Sequence, residues 1–273
     1  MDFKRSTIVL IVSFLFLDIF LLYSYFSMQG NTISSQNTNI NVLEQMRSDD
    51  ISFSGLSSNV ESVPLVQTNR ASLGEKVSQL TNQTYSFENN ILSSTLETPI
   101  ELDFTKDITN DTFTRVTEFL TSGAILNGEQ YGLFTYNPST RKIIYAQRAN
   151  KVPILDGTSQ IVFSVNANGQ VTSYEQTFAG DAQVLGDSRR LTTSQSAVEN
   201  LYLSGRIPPK STILKTRLVY YRSLSLDDMY VYSPAWYVEI QQADGQIVVR
   251  RVDALRGGIL SGDSLEVQGV KSS

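Results

Sequence analysis

The 273-residue sequence contains no cysteine and no histidine. Without cysteine there are no disulfides, so any folded part rests on its hydrophobic core; an exported domain built this way suits bacteria that make little use of oxidative folding. Without histidine the chain lacks the commonest general base, the commonest metal ligand and the usual organiser of a nucleophilic triad. Also missing are a G-x-S-x-G elbow, a phosphate-cradling glycine loop, H-E-x-x-H and EF-hand spacing. Positive charge is in short supply: 22 Lys and Arg against 27 Asp and Glu leave a net charge of −5. Nucleic acid, which needs a basic footprint, is therefore not an expected partner.

What chemistry remains is thin. Asp49–Asp50 and Asp227–Asp228 are the adjacent acidic pairs, and both read as turn or cap residues in solvent. Lys210–Ser211 and Ser139 are the raw materials of a Ser–Lys mechanism without its context. Arg189–Arg190 and Arg250–Arg251 read as solvated strand ends rather than a ligand clamp. No catalytic, cofactor or metal site is expected, and the chain does not read as an enzyme.

Present instead is a long apolar run. Ser6 to Phe26 supplies about 20 residues, enough to cross a hydrocarbon core of about 30 Å. Lys4 and Arg5 precede it and no Lys or Arg follows until Arg47. The positive-inside rule then leaves the N-terminus in the cytoplasm and exports everything after the run, placing the protein in the cell membrane as a single-pass chain. The rival is a cleavable signal peptide, whose shorter apolar core would end at small residues. Here the run ends "YSYFSMQG", with aromatics at the expected interface, so an uncleaved signal anchor over 6–27 is the expectation.

Asp18 interrupts that run. Insertion scales charge about 2.5–3.5 kcal/mol for a central Asp and credit about 0.3–0.6 kcal/mol for each Leu, Ile, Phe or Val, so the surrounding hydrocarbon outweighs it. Intramembrane carboxylates usually face a bundle interior and a polar partner. Asp18 shares its helix face with Leu21, Leu22 and Tyr25, making these four the candidate contacts with another membrane helix; the plainer reading is a lipid-tolerated Asp without a role.

About 245 residues follow, enough for one large domain or two small ones. Residues 1–5 form a cytoplasmic leader, and 28–40, rich in Asn, Ser, Thr and Gln, a polar stalk. Asn41 caps a short helix starting at Val42. Residues 51–100 are poorly patterned and predict loops, a short helix near Leu73–Leu80 and one or two strands such as Ile100–Phe104. A helix follows from Asp111 to Gly123, then strands at Tyr131–Tyr136, Lys142–Gln147, Gln160–Val165 and Gln170–Phe178. A second helix runs from Thr192 or Thr193 to Gly205, with strands at Thr212–Arg222, Tyr230–Gln241 and Gln246–Ala254.

The two halves can be laid on each other. "VTEFLTSG" (Val116–Gly123) resembles "VENLYLSG" (Val198–Gly205), and "ANGQV" (Ala167–Val171) resembles "ADGQI" (Ala243–Ile247), at offsets of 82 and 76 residues. Two related helix-plus-antiparallel-sheet units follow, an α+β architecture with units at 41–185 and 186–260 and a flexible tail at 261–273. Tyr230, Tyr232, Trp236 and Tyr237 concentrate aromatics near the C-terminus, for sheet packing or for a partner-binding face.

The "MDFKRS" leader, "FLFLDIFLLY", the polar stalk and the closing "PAWYVEI" and "DGQIVVRRVDALRGGIL" together resemble the YycI (WalI) family, whose members are bitopic regulators of the YycG/YycF (WalK/WalR) two-component system in low-GC Gram-positive bacteria. The specific part is "LDIFLL" with "AWYVEI" and "VDALRG". The resemblance implies an extracytoplasmic domain of two α+β units, similar to those of the companion protein YycH and loosely to PepSY modules. It also implies contact with the sensor kinase YycG/WalK and with YycH, partly through the membrane helix, and no cofactor. The first rival class is a membrane-tethered receptor for a cell-wall fragment or peptide; a further class is a cell-wall hydrolase or protease, which without His or Cys would need a carboxylate pair or a Ser–Lys site in a shared pocket.

Overall fold

The computed structural model describes residues 12–21 and 41–260. The chain divides into two units, Met1–Glu44 and Gln45–Ser273. In the first, residues 12–21 are helical (α1) with every side chain exposed. Ten residues at helical rise span about 15 Å. Among the described residues no helix is long and apolar enough to cross a membrane. The expected span at 6–27 runs past the described residues on both sides, and the stalk, the leader and the tail lie outside them.

A short helix, α2 (Val42–Ser48), leads into the second unit. There follow β1 (Ser52–Phe53), β2 (Ser62–Asn69), β3 (Gln83–Glu88) and β4 (Ile91–Glu101), then α3 (Thr114–Thr121). Next come β5 (Tyr131–Asn137), β6 (Lys142–Ala149), β7 (Val152–Pro153), β8 (Gln160–Val165), β9 (Gln170–Gln176) and β10 (Ala182–Arg190). Helix α4 (Ser194–Leu203) precedes β11 (Thr212–Ser225), β12 (Met229–Gln241) and β13 (Ile247–Asp253). The class is α+β, as expected.

The strands make two sheets. The first has the order β3-β4-β9-β8-β6-β5, with β7 beside β6. The second has the order β1-β11-β12-β2-β10, with β13 also on β12. Strand β12 is long enough to serve two neighbours on one edge: Met229–Tyr232 pair with β2 and Ala235–Gln241 with β13. Pro234 sits in the gap between them, where its missing N–H removes no ladder bond; its carbonyl accepts from Ala254 N–H at 3.0 Å on that same edge. The second sheet thus draws strands from both sides of the first in sequence, and the expected division at 185/186 falls inside β10.

Residues 51–100 carry four strands where one or two were expected, and the segment after Glu101 is not a strand. The reason is the water-facing side of the first sheet. Thr84, Thr95, Ser173 and Ser164 form one cross-strand row and Ser86, Ser93 and Glu175 the next. An antiparallel sheet needs only one apolar face, and hydroxyl residues on the other blur its period-2 signal. Strand β10, absent from the sequence expectation, is an edge strand with little buried surface to betray it.

The paired motifs occupy matching places. Gly123 (φ 87°) and Gly205 (φ 67°) follow α3 and α4 in the left-handed conformation that ends helices. Gly169 (φ 80°) and Gly245 (φ 84°) sit in the β8–β9 and β12–β13 turns. In each turn the residue three before the glycine accepts its N–H and donates its own N–H to the glutamine that follows it (Asn166 with Gln170, Gln242 with Gln246).

Four layers stack in the second unit. Phe113, Val116 and Leu120 press α3 and its lead-in onto Leu92, Ile143, Tyr145, Ile161, Phe163 and Tyr174 of the first sheet. The opposite face of that sheet meets the second sheet through Phe134 and Ala146 against Val219, Ala235 and Tyr237. Strand β12 is buried on both faces: Ala235 and Tyr237 point to the first sheet, while Trp236 points the other way and donates from Nε1 to Thr192 C=O at 2.9 Å, just before α4. Helix α4 buries Ala197, Val198 and Leu201 over β12 and β13.

This core is unusually rich in tyrosine, and its alkaline limit follows. Burial pushes the Tyr174 hydroxyl up from 10.0 to about 12, against the smaller opposing effect of its hydrogen bonding. Burial likewise raises Tyr131, Tyr232 and Tyr237 well above 10.0. A phenol whose folded-state value is raised stabilises the fold fully below the unfolded value, and loses that contribution as pH climbs through the folded one. Unfolding free energy measured by denaturant titration should therefore be level with respect to these groups up to pH 10 and fall from pH 10 to 12. A flat profile through pH 12 would contradict the burial assigned to these rings.

Candidate functional site

Among the described residues no group of three or more acidic side chains is placed to hold a metal ion. The isolated reactive-looking residues prove to be architectural. Asp49 accepts the Tyr202 hydroxyl at 2.7 Å, and its carbonyl accepts Lys210 N–H at 2.9 Å. Lys210 adopts φ 61°, and buried Ser211 donates to Pro208 C=O at 2.7 Å. Ser139 closes a turn on Asn137 Oδ1.

The aromatic cluster separates by depth. Tyr232 (0% exposed), Trp236 (4%) and Tyr237 (3%) are core side chains. Strand alternation alone would have exposed Trp236 or its neighbours, but α4 and the first sheet cover both faces of β12. The surface available at this cluster is Tyr230, half-buried at the β11–β12 hairpin tip.

Tyr230 borders a cleft of about 250 Å³ where the two sheets meet. Its other walls are Arg70 and Ala71 after β2, the Asn89–Asn90–Ile91 turn of the β3–β4 hairpin, Thr158, and Thr177–Phe178 after β9. Asn89 (φ 51°) and Asn90 (φ 65°) are both left-handed, as a two-residue hairpin turn requires. The Arg70 guanidinium lies 4.6 Å from the Tyr230 ring centroid and that of Arg222 lies 5.0 Å from it. Arg70 also donates to Ser225 Oγ at 2.9 Å, and its N–H to Asp228 C=O at 2.9 Å, which clamps the hairpin tip. Arg222 N–H donates to Asp156 Oδ2 at 2.8 Å, but its guanidinium has the ring alone. Among the described residues neither guanidinium lies within ion-pairing distance of a carboxylate. Arg70 fell in the poorly patterned stretch, and only the register of β11 on β12, Arg222 opposite Tyr232, brings Arg222 to the Tyr230 ring; Arg222 adjoins the cleft through that ring and is not one of its walls.

Of the membrane-helix candidates, Asp18 and Leu21 lie on α1, exposed and three residues apart on adjoining positions of one face. Leu22, Tyr25, Lys4 and Arg5 lie outside the described residues.

A sequence profile of the YycI protein family matches residues 29–255, most of the chain and nearly all of the second unit. The chain belongs to the YycI protein family. YycI proteins are regulatory proteins associated with the YycFG two-component system, not enzymes. No curated protein matches this YycI chain at a significant level. Among solved structures it is similar to an uncharacterized protein from Eubacterium rectale ATCC 33656, 11% identical at a TM-score of 0.45 over 82% of this chain and 99% of that one.

Proposed function

We propose that this YycI chain is a membrane-anchored, non-enzymatic modulator of the sensor histidine kinase YycG/WalK, acting together with YycH. The family match over residues 29–255 carries the reading. The anchor is the apolar run at 6–27, with the N-terminus cytoplasmic and the second unit outside the cell. The exposed apolar surface of α1 supports it, since contiguous exposed hydrocarbon marks a membrane or protein contact. The matching helix ends and hairpin turns support two related helix-plus-sheet units.

Such a protein acts by binding one signalling state of the kinase more tightly than the other. A difference of about 1–2 kcal/mol changes output several-fold. Asp18, with the Leu21, Leu22 and Tyr25 face, is the helix contact. In-cell cross-linking and a kinase reporter, run with Asp18→Leu and with a swapped membrane segment, should show several-fold weaker kinase association and altered output. Unchanged association and output in both variants reject the helix contact.

A second reading, a tethered receptor for a peptide or wall fragment, is favoured by the Tyr230 cleft, where the side-chain polar groups of Asn89, Asn90 and Tyr230 have no hydrogen-bond partner among the described residues, and by the Arg222 guanidinium over the Tyr230 ring beside it.

A further inference from the structure

We propose that the Tyr230 cleft binds a carboxylate borne on an acidic peptide segment, the inference resting on the receptor reading of the cleft and not on the kinase contact. Three observations converge. The first is charge. On a chain of net charge −5, two guanidinium groups stand over one phenol ring with no carboxylate at ion-pairing distance among the described residues. Asp156 is turned to the backbone instead: its oxygens accept from Arg222 N–H at 2.8 Å and from Thr158 N–H at 3.0 Å. Arg70 lines the cleft, and Arg222 adjoins it across the shared Tyr230 ring; lying over that ring leaves the Arg222 N–H donors for a planar two-oxygen acceptor that reaches past the ring edge.

The second observation is the donor set. The Asn89 and Asn90 amides and the Tyr230 hydroxyl add uncommitted donors beside Arg70, whereas the Thr177 hydroxyl is spent on Gly157 C=O at 3.1 Å. This set suits an acceptor-rich group. It does not suit a neutral sugar, because a sugar stacks on a bare aromatic face and Tyr230 already carries two cations.

The third is the wall opposite. Ala71, Ile91 and Phe178 give the cleft an apolar side suited to the methylenes of a peptide side chain, which a free inorganic anion lacks. At about 250 Å³ the cleft is below the usual range of roughly 300–1,000 Å³ for small-molecule sites, which suits one or two side chains rather than a whole cofactor.

The test uses the full chain in nanodiscs and saturation-transfer NMR. The probes are an acetylated and amidated hexapeptide with two central glutamates, its glutamine counterpart, inorganic phosphate and N-acetylglucosamine. The glutamate peptide should bind about tenfold more tightly than the glutamine one, and Arg222→Gln should abolish most of that difference. Lys215→Gln, at the other end of β11, should leave it intact. Among the described residues the Arg222 guanidinium holds no ion pair or hydrogen bond and only the exposed ring contact, so its variant should stay folded and unfold within about 4 °C of the parent, and Tyr230→Leu should weaken binding in the same direction. Equal binding of the two peptides, or a preference indifferent to Arg222→Gln, overturns the proposal. Arg222-dependent binding of phosphate or of the sugar without the glutamate peptide also overturns it, while leaving the cleft a receptor site. No binding by any probe rejects the receptor reading too.

Discussion

Replacing Gly180 with alanine is expected to cost about 2–5 kcal/mol, a large part of the roughly 5–15 kcal/mol that holds a typical domain together. Gly180 lies between β9 and β10, where the chain leaves the first sheet for the second. Its φ is +103°, and a Cβ there would collide with the Asn69 carbonyl oxygen at the end of β2. A left-handed residue with a side chain costs about 1–2 kcal/mol. The overlap adds a further 1–3 kcal/mol or so, because the neighbour is backbone paired in the ladder and cannot swing aside. Gly180 C=O also accepts Gln147 Nε2 at 2.8 Å, so relaxing the clash disturbs a buried amide. Gly186→Ala is the control: φ is +73°, yet nothing lies within 4 Å of its Cβ, so only the conformational cost of about 1–2 kcal/mol remains. Urea unfolding of the full chain in detergent should separate the two by about 2 kcal/mol. Equal destabilisation would mean that the close crossing at Asn69 is not held in solution.

Tyr232→Ala should cost a comparable amount, about 3–5 kcal/mol. The ring is wholly buried with Val66, Ala149, Ile154, Ala179 and Tyr220, in the cluster that joins β2 and the β11–β12 pair to the segment between the sheets. Its hydroxyl shares a 2.9 Å hydrogen bond with Thr158 Oγ1, so Tyr232→Phe should lose only about 1 kcal/mol. Tyr230→Ala, two residues away at the cleft rim, should cost about 1–2 kcal/mol, from partial burial and the lost cation–π contacts. Thermal unfolding should rank Tyr232→Ala as the most damaging, Tyr230→Ala next and Tyr232→Phe least, which would place Tyr232 in the core and Tyr230 on the surface. A stable Tyr232→Ala variant would return Tyr232 to the surface.

Those two tyrosines mark where reading the chain in one dimension stops. The helices α3 and α4 were legible, because each combines apolar residues at helical spacing with a glycine stop. So were β5, β6, β8, β9, β11, β12 and β13, where β-branched and aromatic residues lie between turn signals such as "NANGQ" and "ADGQ". Strands β2, β3, β4 and β10 were not legible. Hydroxyl residues face water on β3 and β4, β10 is an exposed edge, and β2 finds its partners across more than a hundred residues of chain.

The absence of histidine and cysteine, the apolar run around Asp18 and the closing "AWYVEI…VDALRG" lie in the sequence itself, since composition and local pattern need no partner. The run and the closing segments were enough for the resemblance to the YycI family, and the repeated helix-stop and hairpin-turn motifs were enough for the α+β class. Which aromatic is buried, and which two arginines meet over one ring, was decided by tertiary structure alone. Burial on β12 depends on what covers each face, and Arg70 reaches Arg222 only after β2 has docked on β12. Both are set by long-range packing, which no local spacing encodes.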